Sequence, residues 1–298
     1  MSAHFSNSRQ ISPFHAACCA FFALLAFAGN SILCRLALGE GSIDAAGFTS
    51  IRLSSGALTL ALLLKLSAAG PPVQRRGSWI APAALFIYAS AFSFAYLSLQ
   101  TGTGALILFG TVQLTMISAA LLSGERLNTA EAGGILLALA GLIYLVSPGV
   151  TAPSLHGTLL MTLAGISWGI YCLRGRSASD PLAETSRNFS RTLPLVALLS
   201  VFSVAHFHFS LPGVLLAVLS GGLASGAGYV VWYAALRGMT ATSAATVQLA
   251  VPVLASIGGV MLLAEELSLR LIIATVTVLG GVGLAVAGRK GVIRRRAP

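Results

Sequence analysis

The feature that most constrains this chain is an internal echo. Arg35 and Arg52 lie 17 residues apart, and Arg174 and Arg191 repeat that spacing 139 residues later. Glu125-Arg126-Leu127-Asn128 aligns with Glu265-Glu266-Leu267-Ser268 at a shift of 140, and Gly141 lands on Gly281. Each copy holds five apolar segments close to the ~20 residues that a helix needs to cross hydrocarbon. An odd number of crossings makes the second copy enter the membrane upside down relative to the first. The expected fold is an all-α membrane protein: ten transmembrane helices in two inverted five-helix repeats. Residues 1–150 form the first repeat, and residues 151–298 form the second with a basic tail.

Composition names the solvent. Of 298 residues, 56% are hydrophobic and 9% charged, with a mean hydropathy of +0.88. A soluble domain carries roughly 25% charged residues, so this chain cannot coat itself for water. The net charge of +10 is not a nucleic-acid footprint, because its densest cluster, Arg289, Lys290, Arg294, Arg295 and Arg296, directly follows the last apolar run. That is the pattern of a cytoplasmic segment beside anionic lipid. Cys18, Cys19, Cys34 and Cys172 lie in or beside apolar segments and read as small buried hydrophobes. The first apolar run is longer than the ~7–15-residue core of a cleaved signal sequence and reads as a retained span.

The spans are expected at about 15–38, 46–69, 78–99, 103–123 and 130–147, then 154–174, 188–207, 212–236, 242–263 and 269–287. Pro71-Pro72, Pro148-Gly149 and Asp180-Pro181 punctuate the connections. Asn128 with Glu131 reads as a capping box before the fifth span, and Ser268 takes the matching place before the tenth. With both termini in the cytoplasm, 15 of the 18 Lys and Arg residues fall inside, and only Arg35, Arg52 and Arg270 fall outside. This positive-inside bias fixes the expected orientation.

Several local strings then carry a resemblance. They are Tyr233-Ala-Ala-Leu236, Ala241 to Ala245, Pro252 and Leu263-Ala-Glu-Glu-Leu267, with the first-half counterparts Tyr96-Leu-Ser-Leu99 and Leu122-Ser-Gly-Glu-Arg-Leu127. The chain resembles the EamA-type, ten-span members of the drug/metabolite transporter superfamily over nearly its whole length. It departs from the pattern where Val112 replaces the first-half proline. The resemblance implies a secondary transporter of the bacterial inner membrane that exports small metabolites, most of all amino acids, as a monomer or homodimer among membrane lipids. A gradient-driven facilitator, or an exporter of another metabolite or drug, is the alternative. Inverted repeats suit such carriers on physical grounds as well, since one mid-membrane site must face each side in turn.

A substrate site is expected near span centres. Asn30, Tyr88, Gln113, Trp168, Tyr171, Tyr229, Tyr233 and Gln248 are the candidates, with Ser90, Ser167 and Ser225 beside them. A buried amide left unpaired costs roughly 2–7 kcal/mol, so Asn30, Gln113 and Gln248 need either a polar cavity or a partner helix. Trp79, Tyr96, Tyr144, Trp232 and Tyr233 lie near span ends, where interfacial aromatic belts form. An aromatic wall with amide and hydroxyl partners suits a small amphipathic solute.

All eight acidic residues fall at span ends or in loops, leaving none for the embedded carboxylate relay of many proton-coupled carriers. Glu125 and Glu265 occupy matching span ends. Each reads as a cap for the helix that follows it, with a gate latch as the rival role. Arg35, Arg52, Arg174 and Arg191 read as gate or loop-tethering cations, or as snorkelling side chains. Pro194 and Pro252, with Gly222, Gly226 and Gly228, are hinge candidates. Gly133, Gly134 and Gly141 are expected to pack the fifth span on Gly280, Gly281 and Gly283 of the tenth.

A membrane-embedded enzyme is the remote rival. Glu265-Glu266-x-x-x-Arg270 resembles the first motif of the prenyl-protein endopeptidases, but no histidine follows His208 to complete such a site. No enzyme activity, metal or cofactor is expected.

Overall fold

The computed structural model describes residues 13–67, 78–122, 129–149, 152–175, 178, 180–236, 247–248 and 250–296. Glu125, Asn128 and the Ala241–Ala245 string lie outside the described residues. The helices are α1 (Pro13–Gly39), α2 (Ala45–Leu66), α3 (Ile80–Ala95), α4 (Thr101–Leu122), α5 (Thr129–Val146), α6 (Leu155–Gly175) and α7 (Pro181–Ser203). Next comes α8 in three consecutive pieces, Leu211–Val218, a π-helical stretch Leu219–Ala227, and Gly228–Leu236, then α9 (Ala250–Leu263) and α10 (Leu269–Arg296). Seven of these are long and apolar enough to cross a bilayer; α3, α9 and α10 contribute shorter apolar stretches. Among the described residues the only β-type pairing is one bridge, Ile43 with Phe209, which ties the α1–α2 turn to the loop before α8.

Local signals set the boundaries. Asp44 caps α2 by accepting from Gly47 N–H at 2.8 Å, and its other oxygen accepts from His208 N–H at 3.1 Å. Asp180 caps α7 with Pro181 in the first turn, so this helix starts seven residues earlier than hydropathy alone suggests. Polar residues of the opening turns hide the start from a hydropathy reading, whereas the Asp-Pro pair marks it. Ser268 caps α10 through Leu271 N–H at 3.1 Å, as expected. That helix also runs on through the basic tail to Arg296.

Helix pairing carries the duplication into three dimensions. The most extensive packing joins α5 to α10, followed by α1 with α8 and α3 with α6, and α2 also packs on α7. α4 packs on α6 as α9 packs on α1, and α2 packs on α8 as α7 packs on α3. Exchanging α1–α5 with α6–α10 maps this scheme onto itself. At the α5–α10 crossing, Gly134 meets the backbone of Gly281 and Ala285, and Gly141 meets Val278. Gly133, Gly280 and Gly283 have open space where a Cβ would be, so only part of the expected glycine face is packing. The outer surface is apolar, with Leu58, Phe202, Leu223, Met261 and Val276 exposed.

Candidate functional site

The π-helical stretch of α8 is the local feature that builds the site. Widening the helix by i→i+5 bonding shifts the faces that follow it, a device common at functional positions. Here it presses Gly221 against the backbone of Arg52 and the side chain of Ser55. Gly221 thus makes the close approach to α2, ahead of Gly222 and Gly226. It also turns Ser220 and Ser225 inward. Ser220 Oγ donates to Asn30 Oδ1, and Ser225 Oγ accepts from Arg52 Nε at 3.1 Å.

Around these hydroxyls stands an aromatic cluster drawn from both halves. Tyr88 of α3 lies 4.9 Å from Trp168 of α6, ring centre to ring centre, and Trp168 lies 4.8 Å from Tyr229 of α8. Tyr171 stacks on Trp168 at 5.4 Å, and Phe27 of α1 meets Trp168 edge-on at 6.0 Å. A small cavity of about 10 Å³ is lined by Phe27, Asn30, Tyr88, Phe92, Phe109 and Trp168, among others. That is room for about one water. Asn30 Nδ2 donates to Tyr88 Oη at 3.5 Å.

Arg52 is the residue that sequence reading misplaced. It is 1% exposed, and therefore lies inside the bundle and does not snorkel. Its Nη2 donates to Tyr88 Oη at 3.2 Å, and its guanidinium carbon sits 4.9 Å from the Phe92 ring centre and 5.3 Å from that of Tyr88. The span's start, expected at 46 and found at Ala45, sets Arg52 seven residues, about 10 Å, along the helix; its depth was legible, and its inward facing was not.

Of the other candidates, Asn30, Tyr88, Trp168, Tyr171 and Tyr229 come together at this chamber. Gln113, Gln248 and Tyr233 are buried but do not line its cavity. Among the described residues, lining comes from α1, α3, α4 and α6, with α8 behind them and none from α9. Trp232 and Tyr96, placed in a belt by their sequence position, are buried, because Trp232 packs on Phe27 at 5.6 Å and Tyr96 on Phe92 at 4.8 Å. Trp79 and Tyr144 are exposed as belt residues would be.

At the end of the bundle away from Pro13, Glu265 makes a junction between the halves. Ala264 adopts a left-handed conformation (φ 51°), and Glu265 N–H donates back to Gly259 O at 3.1 Å. This closure aims the carboxylate at α4, where it accepts from Thr101 N–H at 2.8 and 3.0 Å and from Thr101 Oγ1 at 3.1 Å. It also pairs with Arg35 Nε at 3.3 Å, while Arg35 Nη1 donates to Tyr96 O at 3.0 Å. Glu265 therefore caps α4 of the other repeat. The following helix, α10, is capped by Ser268. A cavity of about 270 Å³ opens beside this junction, lined by Gln100, Thr103, Ser154 and Glu266, among others.

The remaining cations differ. Arg174 is exposed near the end of α6, and Arg191 of α7 sits over the Trp79 ring at 5.7 Å. Pro252 is buried at the third position of α9, and Ser256 Oγ donates to its carbonyl at 2.8 Å. Among the described residues no group of three metal-ligating side chains gathers.

Comparison with known proteins places this geometry in context. Residues 155–287 match the EamA-like transporter family. The chain is 54% identical over 269 residues to the uncharacterized protein PA1977 of Pseudomonas aeruginosa, covering 90% of this chain and 93% of that protein. It is 24% identical over 248 residues to the uncharacterized transporter YoaV of Bacillus subtilis, covering 79% and 85%. An uncharacterized transporter of Archaeoglobus fulgidus is 28% identical over 206 residues, covering 66% and 71%. One solved crystal structure, 21% identical, superposes with a TM-score of 0.66 over 94% of this chain and 99% of its own.

Proposed function

Because the chain belongs to the EamA-like transporter family of the drug/metabolite transporter superfamily, we propose that it moves a small metabolite by alternating access, with an amino acid leaving a bacterial cytoplasm across the inner membrane as the leading case. The multi-pass apolar fold and the family make it an integral membrane transporter of small molecules. The solute, the direction and the sidedness are the proposal. Both termini are assigned to the cytoplasm from the distribution of Lys and Arg, which puts the Glu265 junction at the periplasmic end.

The observation that carries the reading is the chamber shared between halves. Asn30 and Tyr88 come from the first repeat, Trp168 and Tyr229 from the second. A site built across the repeat boundary is remade whenever one half rocks against the other. The cavity of about 10 Å³ is far below the ~300–1,000 Å³ of a ligand pocket, so a solute enters only when the bundle moves. The Glu265 junction supports closure on its own side. It fastens the end of α9 to α4 and to Arg35 of α1, and opening that end means breaking those bonds.

A second reading has its own support. The described acidic residues sit at helix ends or in loops, which favours a facilitator driven by the solute gradient over a carboxylate-relay antiporter. The test is transport of labelled neutral amino acids in right-side-out and everted membrane vesicles, with and without a pH gradient. Saturable exit in the cytoplasm-to-periplasm sense is expected. Movement of no amino acid in either orientation would reject the reading.

A further inference from the structure

Behind the chamber's wall stands a cation with no anion beside it among the described residues. Arg52 is held on two ring faces and by two neutral hydroxyls, those of Tyr88 and Ser225. Its Nη1 is buried and has no hydrogen-bond partner among the described residues. The one ion pair found among those residues joins Arg35 and Glu265, so no described carboxylate is within reach of Arg52. Aromatic faces and hydroxyls moderate a buried positive charge but do not neutralise it. An ionisable side chain kept at membrane depth on such terms marks a binding or transport position.

The groups around it can each donate a hydrogen bond. Trp168 Nε1, a donor only, and the hydroxyls of Ser31 and Tyr229 are likewise buried without a partner among the described residues. Tyr88 Oη already accepts from Asn30 and Arg52, which leaves its own proton to donate. Tyr88 and Phe92, the two rings under Arg52, also line the cavity with Trp168 and Ser31. Groups able to donate therefore border an aromatic space, one uncompensated cation stands behind two of its rings, and no described carboxylate lies there to receive an ammonium group.

We propose that Arg52 is the counter-ion for the carboxylate of the transported solute, and that the carboxylate, more than the amino group, is what the chamber selects. The class is a small monocarboxylate with an apolar or aromatic body, of which neutral amino acids are one kind. The inference takes from the transport reading only the opening that admits the solute. Charge-assisted hydrogen bonds to a guanidinium are the strong ones, and removing the anionic partner removes them together.

The experiment uses purified full-length protein in nanodiscs and tryptophan fluorescence, titrated with L-phenylalanine, 3-phenylpropanoate and L-phenylalaninamide. In the wild type both acids are expected to bind, with the amide at least tenfold weaker. Arg52→Lys keeps that order, and Arg52→Gln erases it. Elution and near-UV circular dichroism like those of the wild type certify each variant as folded; if neither variant folds, the wild-type ranking alone decides. The inference is overturned if the amide binds as well as the acids, if Arg52→Gln retains the preference, or if neither acid binds. Liposome counterflow separates the two readings. Acid-selective binding without counterflow removes transport and leaves Arg52 as a carboxylate site, whereas counterflow indifferent to the carboxylate does the reverse.

Discussion

Replacing Glu265 by Gln tests whether the cross-repeat junction holds one end of the bundle shut. The carboxylate accepts from Thr101 N–H and Oγ1 and pairs with Arg35 Nε at 3.3 Å. Glutamine keeps one carbonyl oxygen, so a neutral cap on α4 survives, but the charge is lost. Charge-assisted hydrogen bonds are roughly twice as strong as neutral ones, and a lost cap costs about 0.5–2 kcal/mol. A net loss of about 1–2 kcal/mol for the closed form follows, which multiplies the open fraction roughly 5–30-fold. Cys34 reports this directly. It is fully buried, one residue before Arg35. In a chain retaining Cys34 as its one cysteine, labelling by a bulky maleimide in nanodiscs should accelerate by about that factor in Glu265→Gln, with a smaller effect on solute affinity. Unchanged labelling of a folded variant would refute the latch, and a larger effect on affinity than on labelling or stability would move Glu265 into the binding site.

Three further outcomes follow. Tyr229→Ala, which removes a ring packed on Trp168, should lower flux while the protein elutes as folded, and normal transport would remove Tyr229 from the site. Asn30→Ala strands the Ser220 hydroxyl in the core and removes one of the two donors to Tyr88 Oη, and its melting midpoint should fall by an amount matching about 1–3 kcal/mol; no change would mean those contacts carry no net stability. Gly134→Ala drives a methyl group into the α10 backbone and should cost about 1–3 kcal/mol, while neighbouring Gly133→Ala, which points into open space, should be neutral or slightly stabilising. Equal melting temperatures for the two would contradict the α5–α10 packing described above.

Crossing segments were legible in the sequence because length and apolarity alone define them, and the 140-residue echo foretold that α5 and α10 would pack through glycine. Facing was not. Arg52 looked like an edge residue because it lies within two turns of the start of its span; the face it occupies meets Tyr88, Phe92 and Ser225, and that facing is not encoded in hydropathy. Trp232 sits near a span end yet turns toward Phe27, a choice made by helix rotation, which a one-dimensional pattern does not encode. Glu265 showed its capping chemistry but not its target, since Thr101 is 164 residues away and becomes a neighbour only once the two repeats interlock. The π-helical stretch, which turns Ser220 and Ser225 inward, follows from no periodicity in its Gly- and Ser-rich string.

The most direct measurement is counterflow. Proteoliposomes loaded with unlabelled phenylalanine and diluted into a trace of labelled phenylalanine should show a transient, saturable accumulation of label, because a chamber facing one side at a time exchanges solute for solute. Label that merely equilibrates without overshoot, or fails to enter, would contradict alternating access.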